Sequence, residues 1–131
     1  MPQDHESTFH TLRELLRAHA GTLTVADDTP ERFCLEATPG PATLAAWGGK
    51  LRRPTIPVAW VERRKSYVGY HLMGLNENAP LLARLSPALR ARMQGKTCFN
   101  FSHPDAVPST ELAEVTDSSL AALRRGGFVQ S

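Results

Sequence analysis

The first clear pattern in the chain is a stripe of apolar residues at helical spacing, formed by Phe9, Leu12, Leu15 and Leu16. The charged residues between them fall on the opposite side of a helical turn. Asp4 and Ser7 lie near the start of the stripe, and both residue types favour the position that caps a helix. The pattern therefore predicts a first helix that one of these two residues caps.

Alternating apolar and polar positions predict strands in the middle of the chain. The segment 22–25 is short and ambiguous, and a turn over 27–30 separates it from a strand over 32–37. Strands are also predicted over 56–62 and 66–73, joined at a basic tip made of Arg63, Arg64 and Lys65. A hairpin is the expected connection, although its turn has no Asn-Gly pair to set the register.

Helical signals return in the second half. Asn78 and Ser86, each followed by a proline within two residues, predict the starts of two short helices, the second ending around 93–95. The segment 97–101 is predicted to be the last strand, and 109–125 the last helical region. Polar residues over 116–119 favour caps over helix interiors, so a break is expected there. The segment 42–49 matches no single pattern.

These elements define a fold class. Strands and helices are partly segregated along the chain, which predicts an α+β fold with helices packed on one face of a small antiparallel sheet. With 131 residues, of which 41% are hydrophobic, the chain suits one domain with one core over 1–131. We find no internal repeat and no low-complexity segment.

Charge and composition narrow the function classes. The net charge of +2 is too small to demand several phosphate contacts, so nucleic acid is disfavoured as a partner. No apolar run reaches the ~20 residues that span a bilayer, and the acidic start does not resemble a signal peptide. Cys34 and Cys98 form no CxxC motif. We therefore expect a cytoplasmic protein with free thiols and no membrane association.

Chemically versatile side chains concentrate on one face of two predicted strands. Successive strand residues point to opposite sides of a sheet, so Val68, Tyr70, Leu72, Phe99 and Phe101 are assigned to the core. The opposite face then carries the candidate site residues, which are Tyr67, His71, Lys96, Cys98 and Asn100. Trp60 or Trp47 is expected to form an apolar wall beside them. The leading interpretation is a binding site for a small molecule or a protein partner on this outward face.

Four alternatives stay open. The face can be ordinary solvated surface, since one side of an antiparallel sheet often faces water. His71 and Cys98, with His103 as a third donor, make a metal site, but a closed zinc site needs four ligands. The same thiol and imidazole make a thiol-dependent enzyme without a recognisable signature. A phosphate or nucleic-acid site at the basic tip is disfavoured, because such charge runs usually face water.

A family resemblance follows from the same residues. The order is Lys65, Tyr67, Tyr70 and His71 along one strand, a Leu/Pro helix, the run 95–101, and a terminal helix. From about Phe9 to Leu123 this resembles the YdhG-like domain of unknown function, a bacterial family of small α+β proteins. The resemblance implies that fold, and in one branch a frataxin-like iron chaperone that binds iron through an acidic surface. The first helix here lacks an acidic ridge, so we expect no cofactor, and iron stays open as the ligand of the alternative function, an iron or other metal chaperone.

Overall fold

The computed structural model of the chain describes residues 4–130. The helices in this range are α1 (His5–Arg17), α2 (Pro41–Ala46), α3 (Ala79–Ala83), α4 (Pro87–Arg90) and α5 (Ser109–Arg125). The strands are β1 (Thr24–Asp28), β2 (Arg32–Ala37), β3 (Ile56–Arg63), β4 (Val68–Leu72), β5 (Met93–Gln94) and β6 (Cys98–Phe101). Two 3₁₀ turns, Met73–Glu77 and Pro104–Ala106, complete the described elements.

The strands form one antiparallel sheet in the order β1-β2-β3-β4-β6-β5. The hairpin between β3 and β4 is confirmed, with Arg63 opposite Val68 at its closing end. Arg64 closes the tip by donating its backbone N–H to the carbonyl of Tyr67 at 2.8 Å. Helices pack against this sheet, so the predicted α+β class is confirmed.

The core lies between the sheet and the two long helices. α1 contacts β3 and β4, and α5 contacts β4. The five strand residues assigned to the core are all completely buried, and so are Leu12 and Leu16 of α1. Burial of a large apolar side chain contributes about 1.5–3 kcal/mol, so this layer supplies much of the folding free energy.

A capped start orients α1 over the sheet. Asp4, and not Ser7, is the cap, because its Oδ1 accepts the backbone N–H of Ser7 at 2.9 Å. This hydrogen bond holds the pKa of the Asp4 carboxyl below its usual value. The backbone N–H of Asp4 also donates to the carbonyl of Ser102 at 3.2 Å, which ties the helix start to the end of β6.

Two expectations about the sheet edges are wrong. The turn predicted over 27–30 begins later, because β1 runs through Asp27 and Asp28 as an exposed edge strand with a bulge. Charged residues suit an edge strand, where they discourage pairing with other chains. Met93 lies in β5 and not in a helix, and Gly95 forms the turn to β6 with a φ of 76°. A left-handed glycine serves a hairpin as well as a helix end, so the sequence signal was ambiguous.

The predicted break at 116–119 is also wrong, because α5 continues through it. Thr116 Oγ1 donates to the carbonyl of Leu112 at 2.7 Å and lies 2.6 Å from the hydroxyl of Tyr70. These partners satisfy a polar residue inside the helix, which removes the reason to break. The undecided segment 42–49 contains α2, which begins at Pro41.

Across residues 4–130, no helix combines the length and the apolar character that crossing a bilayer requires.

Candidate functional site

Four side chains of three chemical kinds form a row across the outer face of the sheet. The strand register places Cys34 opposite Trp60, Trp60 opposite His71, and His71 opposite Cys98. Each of these residues points away from the helices, since its chain neighbours point into the core. Four strands thus bring together a thiol, an indole, an imidazole and a second thiol, which we call the outer row.

Trp60 and His71 are stacked at the centre of the outer row. Their ring centroids are 4.6 Å apart, and their planes differ by 11°. Both residues are half-buried, so each stacked ring keeps part of its surface in solvent. The predicted aromatic wall is therefore formed by Trp60, and it covers one face of the imidazole.

Cys98 joins the other side of His71. Its Sγ lies 3.5 Å from His71 Nε2 and donates to the side-chain oxygen of Asn100 at 3.3 Å. Gly69 precedes His71 by two residues on the same face of β4. A Cβ at Gly69 would lie 3.2 Å from His71 Nε2 and 3.7 Å from Cys98 Sγ. The absence of a side chain at Gly69 therefore leaves room for the imidazole to reach the thiol.

Burial keeps the thiol and the imidazole in their neutral forms. It raises the pKa of the Cys98 thiol, against the opposite effect of a hydrogen bond with the backbone of Tyr70, and the nearby Glu62 carboxylate acts in the same direction as burial. It lowers the pKa of His71, against the opposite effect of Glu62. Desolvation disfavours the charged form of either group, which explains both directions. Near neutral pH the pair is thus a hydrogen-bonded neutral couple and not a thiolate–imidazolium ion pair.

The neighbouring row of the outer face is charged. The register aligns Arg32 with Glu62, Glu62 with Gly69, and Gly69 with Asn100. Arg32 forms an ion pair with Asp27, which fixes it at the β1 side. The outer row therefore borders a carboxylate and a guanidinium as well as an amide.

Two of the predicted residues lie at the margin of this cluster. Tyr67 is half-buried and precedes β4, beyond the hairpin tip. Lys96 is exposed in the turn between β5 and β6. The alternative wall, Trp47, ends α2, whose residues Ala42 and Thr43 hydrogen-bond to the backbone near the C-terminus. Trp60, His71, Cys98 and Asn100 are the predicted residues that the structure brings together.

Sequence reasoning missed Cys34 and Glu62 as neighbours of this cluster. Cys34 is completely buried, and burial raises the pKa of its thiol. Alternation within β2 puts Cys34 on the other face of the strand from its neighbours Phe33 and Leu35. The pairing of β2 with β3 is what aligns it with Trp60. Alternation along β3 is the signal that could have identified Glu62, because Glu62 lies on the same face of the strand as Trp60.

The donors fit a zinc-like ion better than iron. With bond lengths of about 2.05 Å to nitrogen and 2.3 Å to sulfur, the 3.5 Å between Nε2 and Sγ subtends about 107° at a metal. That angle is close to tetrahedral, but the pair supplies two donors where a structural site needs four. Within residues 4–130, no group of three or more His, Cys, Asp or Glu side chains is placed to hold a metal ion. A hard-oxygen iron site does not fit these residues.

Comparisons of the chain with models of protein families, with curated proteins and with solved structures found no match. The resemblance to the YdhG-like family stays a prediction. The geometry of the outer face is therefore the basis on which function is inferred.

Proposed function

We propose that this protein is a binding domain whose site is the outer face of the sheet, centred on Trp60, His71, Cys98 and Asn100. A small ligand is favoured over a protein partner. The observation that carries the proposal is the continuous contact from the indole through the imidazole to the thiol, built across three neighbouring strands. Sites on rigid strands hold their side chains more precisely than sites on loops.

The chemistry of the face indicates the kind of ligand. The stacked pair offers aromatic surface, while Asn100 offers an amide and Glu62 and Arg32 offer opposite charges. Sites for small molecules combine apolar or aromatic surface with a few placed polar groups. A planar molecule with polar edges would stack on the exposed aromatic surface and hydrogen-bond at its rim, with Tyr67 and Lys96 reaching in from the margin.

Two tryptophans provide a direct test. In a ¹H–¹⁵N NMR screen of planar heteroaromatic fragments, binding at the outer face is expected to shift the indole resonance of Trp60. The indole of Trp47, at the end of α2, serves as the internal control. Asn100→Ala should weaken each such ligand about tenfold, because the ligand loses a hydrogen bond in a partly desolvated site.

The same screen can overturn the proposal. If fragments bind only where they shift Trp47, or none shifts Trp60 at about millimolar concentration, a free energy of about −4 kcal/mol is not reached and the small-ligand site is absent. An Asn100→Ala variant that binds as tightly as the parent would remove this residue from the site.

Metal binding is the second candidate function, favoured by the near-tetrahedral angle at the His71–Cys98 pair. A metal chaperone holds its ion with few ligands so that it can be passed on, and two protein donors leave such open positions. Calorimetric titration with zinc and with ferrous iron tests this reading. Binding weaker than about 1 mM for both ions, or zinc binding unchanged in Cys98→Ser, would contradict it.

A thiol-dependent enzyme is a weaker reading of the same pair. Nucleophilic cysteines need a lowered pKa, and burial raises the pKa of Cys98 instead. We therefore propose binding rather than catalysis. A cytoplasmic location and membership of the YdhG-like family belong to the same proposal, supported by the two free thiols and by the α+β architecture.

A further inference from the structure

A cavity lies on the helix side of the sheet, away from the outer row. Its volume is about 380 Å³, which is within the range of small-molecule sites. α1 forms one wall, and the β1–β2 turn and the end of β3 form the other. Its lining includes Glu6, Phe9, His10, Arg13, Pro30 and Arg63.

Alternation along β3 explains why one arginine of the basic tip reaches this cavity. Arg63 falls on the same side of the strand as Val61, which is completely buried under the helices. Its backbone N–H donates to the carbonyl of Glu31 at 2.8 Å, which fixes the β1–β2 turn and Pro30 beside it. Arg64 follows the strand at the tip, and both arginines are exposed. Arg63 differs from Arg64 because it also lines the cavity.

Arg13 lies on the opposite wall of the cavity, which α1 forms. Its guanidinium carbon lies 5.7 Å from the centroid of the Phe9 ring, and its Nη2 lies 2.9 Å from His10 Nδ1. Its Nε is buried and has no hydrogen-bond partner among the described residues. An unsatisfied buried donor is unfavourable, and more so when it is charged.

Among the described residues, neither guanidinium has a carboxylate oxygen within 4.0 Å. The ion pairs found within residues 4–130 involve Arg17, His19, Arg32 and Arg53. Glu6 is the one carboxylate in the cavity lining, and Asp4 lies close enough to Arg63 for the two charges to interact. Both carboxylates are exposed. As far as residues 4–130 are concerned, the cavity thus presents two guanidinium groups that form no ion pair, next to an aromatic ring.

We propose that this cavity, which we call the α1 cleft, binds a small molecule carrying a carboxylate or phosphate group on a compact apolar body. Arg13 and Arg63 approach from opposite walls and bind the anion with charge-assisted hydrogen bonds. Phe9 and Pro30 contact the apolar body. Glu6 at the rim disfavours ligands with further negative charge near it. The α1 cleft is separate from the outer face, so either site can exist without the other.

Calorimetry with inorganic phosphate, phenyl phosphate and benzoate tests the α1 cleft at low salt. We expect phenyl phosphate or benzoate to bind at least tenfold more tightly than inorganic phosphate, because the ring adds apolar contact. The tighter of these two identifies the head group. Arg63→Gln should weaken that probe about tenfold, since one charge-assisted hydrogen bond is lost.

Arg64→Gln is the matched control, because it removes the same charge from the adjacent exposed position. It should change the affinity less than twofold. Arg13→Lys keeps the charge but loses the planar fork, and we expect a smaller loss than for Arg63→Gln. Circular dichroism shows whether this variant still folds; if it does not, Arg63→Gln and Arg64→Gln carry the test.

Two calorimetric results would contradict the proposal that the α1 cleft binds an anion. One is equal weakening by Arg63→Gln and Arg64→Gln, which would show general charge attraction and no defined site. The other is failure of every probe to bind at about 10 mM, where even a millimolar site would be nearly saturated. Binding that shifts the Trp60 indole but not the α1 amides would assign the anion to the outer face instead.

Discussion

At Cys98, the local environment works against the ionised thiol. Burial raises its pKa, Glu62 acts in the same direction, and the imidazole beside it is itself held neutral. The hydrogen bonds of the thiol are therefore those of a neutral group, donated to Asn100 and shared with His71. At this scale the chemistry of the thiol and the imidazole at neutral pH is hydrogen bonding.

Alkylation of Cys98 measures this directly. Because the thiolate is the reacting form, iodoacetamide should modify Cys98 at pH 7 more slowly than a free thiol, and the rate should climb as the pH passes above the ordinary value of about 8.5. Peptide mass spectrometry separates Cys98 from the fully buried Cys34, which should react only on unfolding. Rapid modification of folded Cys98 at pH 7 would instead favour the thiol enzyme.

At the scale of elements, a close backbone contact at Gly74 fixes the position of the last helix. The 3₁₀ turn Met73–Glu77 packs against α5, and a Cβ on Gly74 would lie 1.9 Å from the carbonyl oxygen of Ser119. The atom it meets belongs to the helix backbone, which cannot turn aside as a flexible side chain can. The position thus requires glycine for close approach.

Gly74→Ala should therefore destabilise the protein strongly. Overpacking typically costs about 1–3 kcal/mol of unfolding free energy. We expect a loss at or above the upper end of this range, because the new Cβ meets the helix backbone. Gly21→Ala is the matched control, since a Cβ there meets nothing within 4 Å, and its effect should stay within about 0.5 kcal/mol. Urea unfolding of both variants measures the difference. Equal stability of the two would show that the turn does not press on α5.

At the scale of the whole molecule, Tyr70 joins the sheet to α5. Its hydroxyl is buried and lies 2.6 Å from Thr116 Oγ1, which itself donates to Leu112. The tyrosine is therefore the donor in this contact. Burial raises the pKa of Tyr70 far above its usual value, so the phenol stays protonated. A neutral hydrogen bond thus connects the helix layer to the centre of the sheet.

Removing this hydroxyl should weaken the docking of α5. Tyr70→Phe is expected to cost about 1 kcal/mol of unfolding free energy, because Thr116 keeps its bond to Leu112 and loses only one partner. Tyr67→Phe removes a hydroxyl from a half-buried residue that immediately precedes β4. It should cost less than about 0.5 kcal/mol of unfolding free energy. Thermal unfolding compares the two. A Tyr67→Phe variant as destabilised as Tyr70→Phe would contradict the role of the buried contact.

Sequence alone determined which face of each strand is apolar. Alternation is a local property, so it assigned Tyr70 and Phe99 to the core and His71 and Cys98 to the outer face before any pairing was known. It also determined the α+β class, since the order of strands and helices follows from local periodicity. It misjudged the segments around Met93 and Thr116, where the same residues serve two local structures.

Only the tertiary structure decided which of these residues meet. The register of β2, β3, β4 and β6 aligns Cys34 with Trp60, His71 and Cys98, and a shift of one residue would have turned each side chain to the other face. The approach of α1 to the end of β3 likewise places Arg13 across a cavity from Arg63. Contacts between residues distant in sequence depend on how whole elements pack, and no local pattern records that packing.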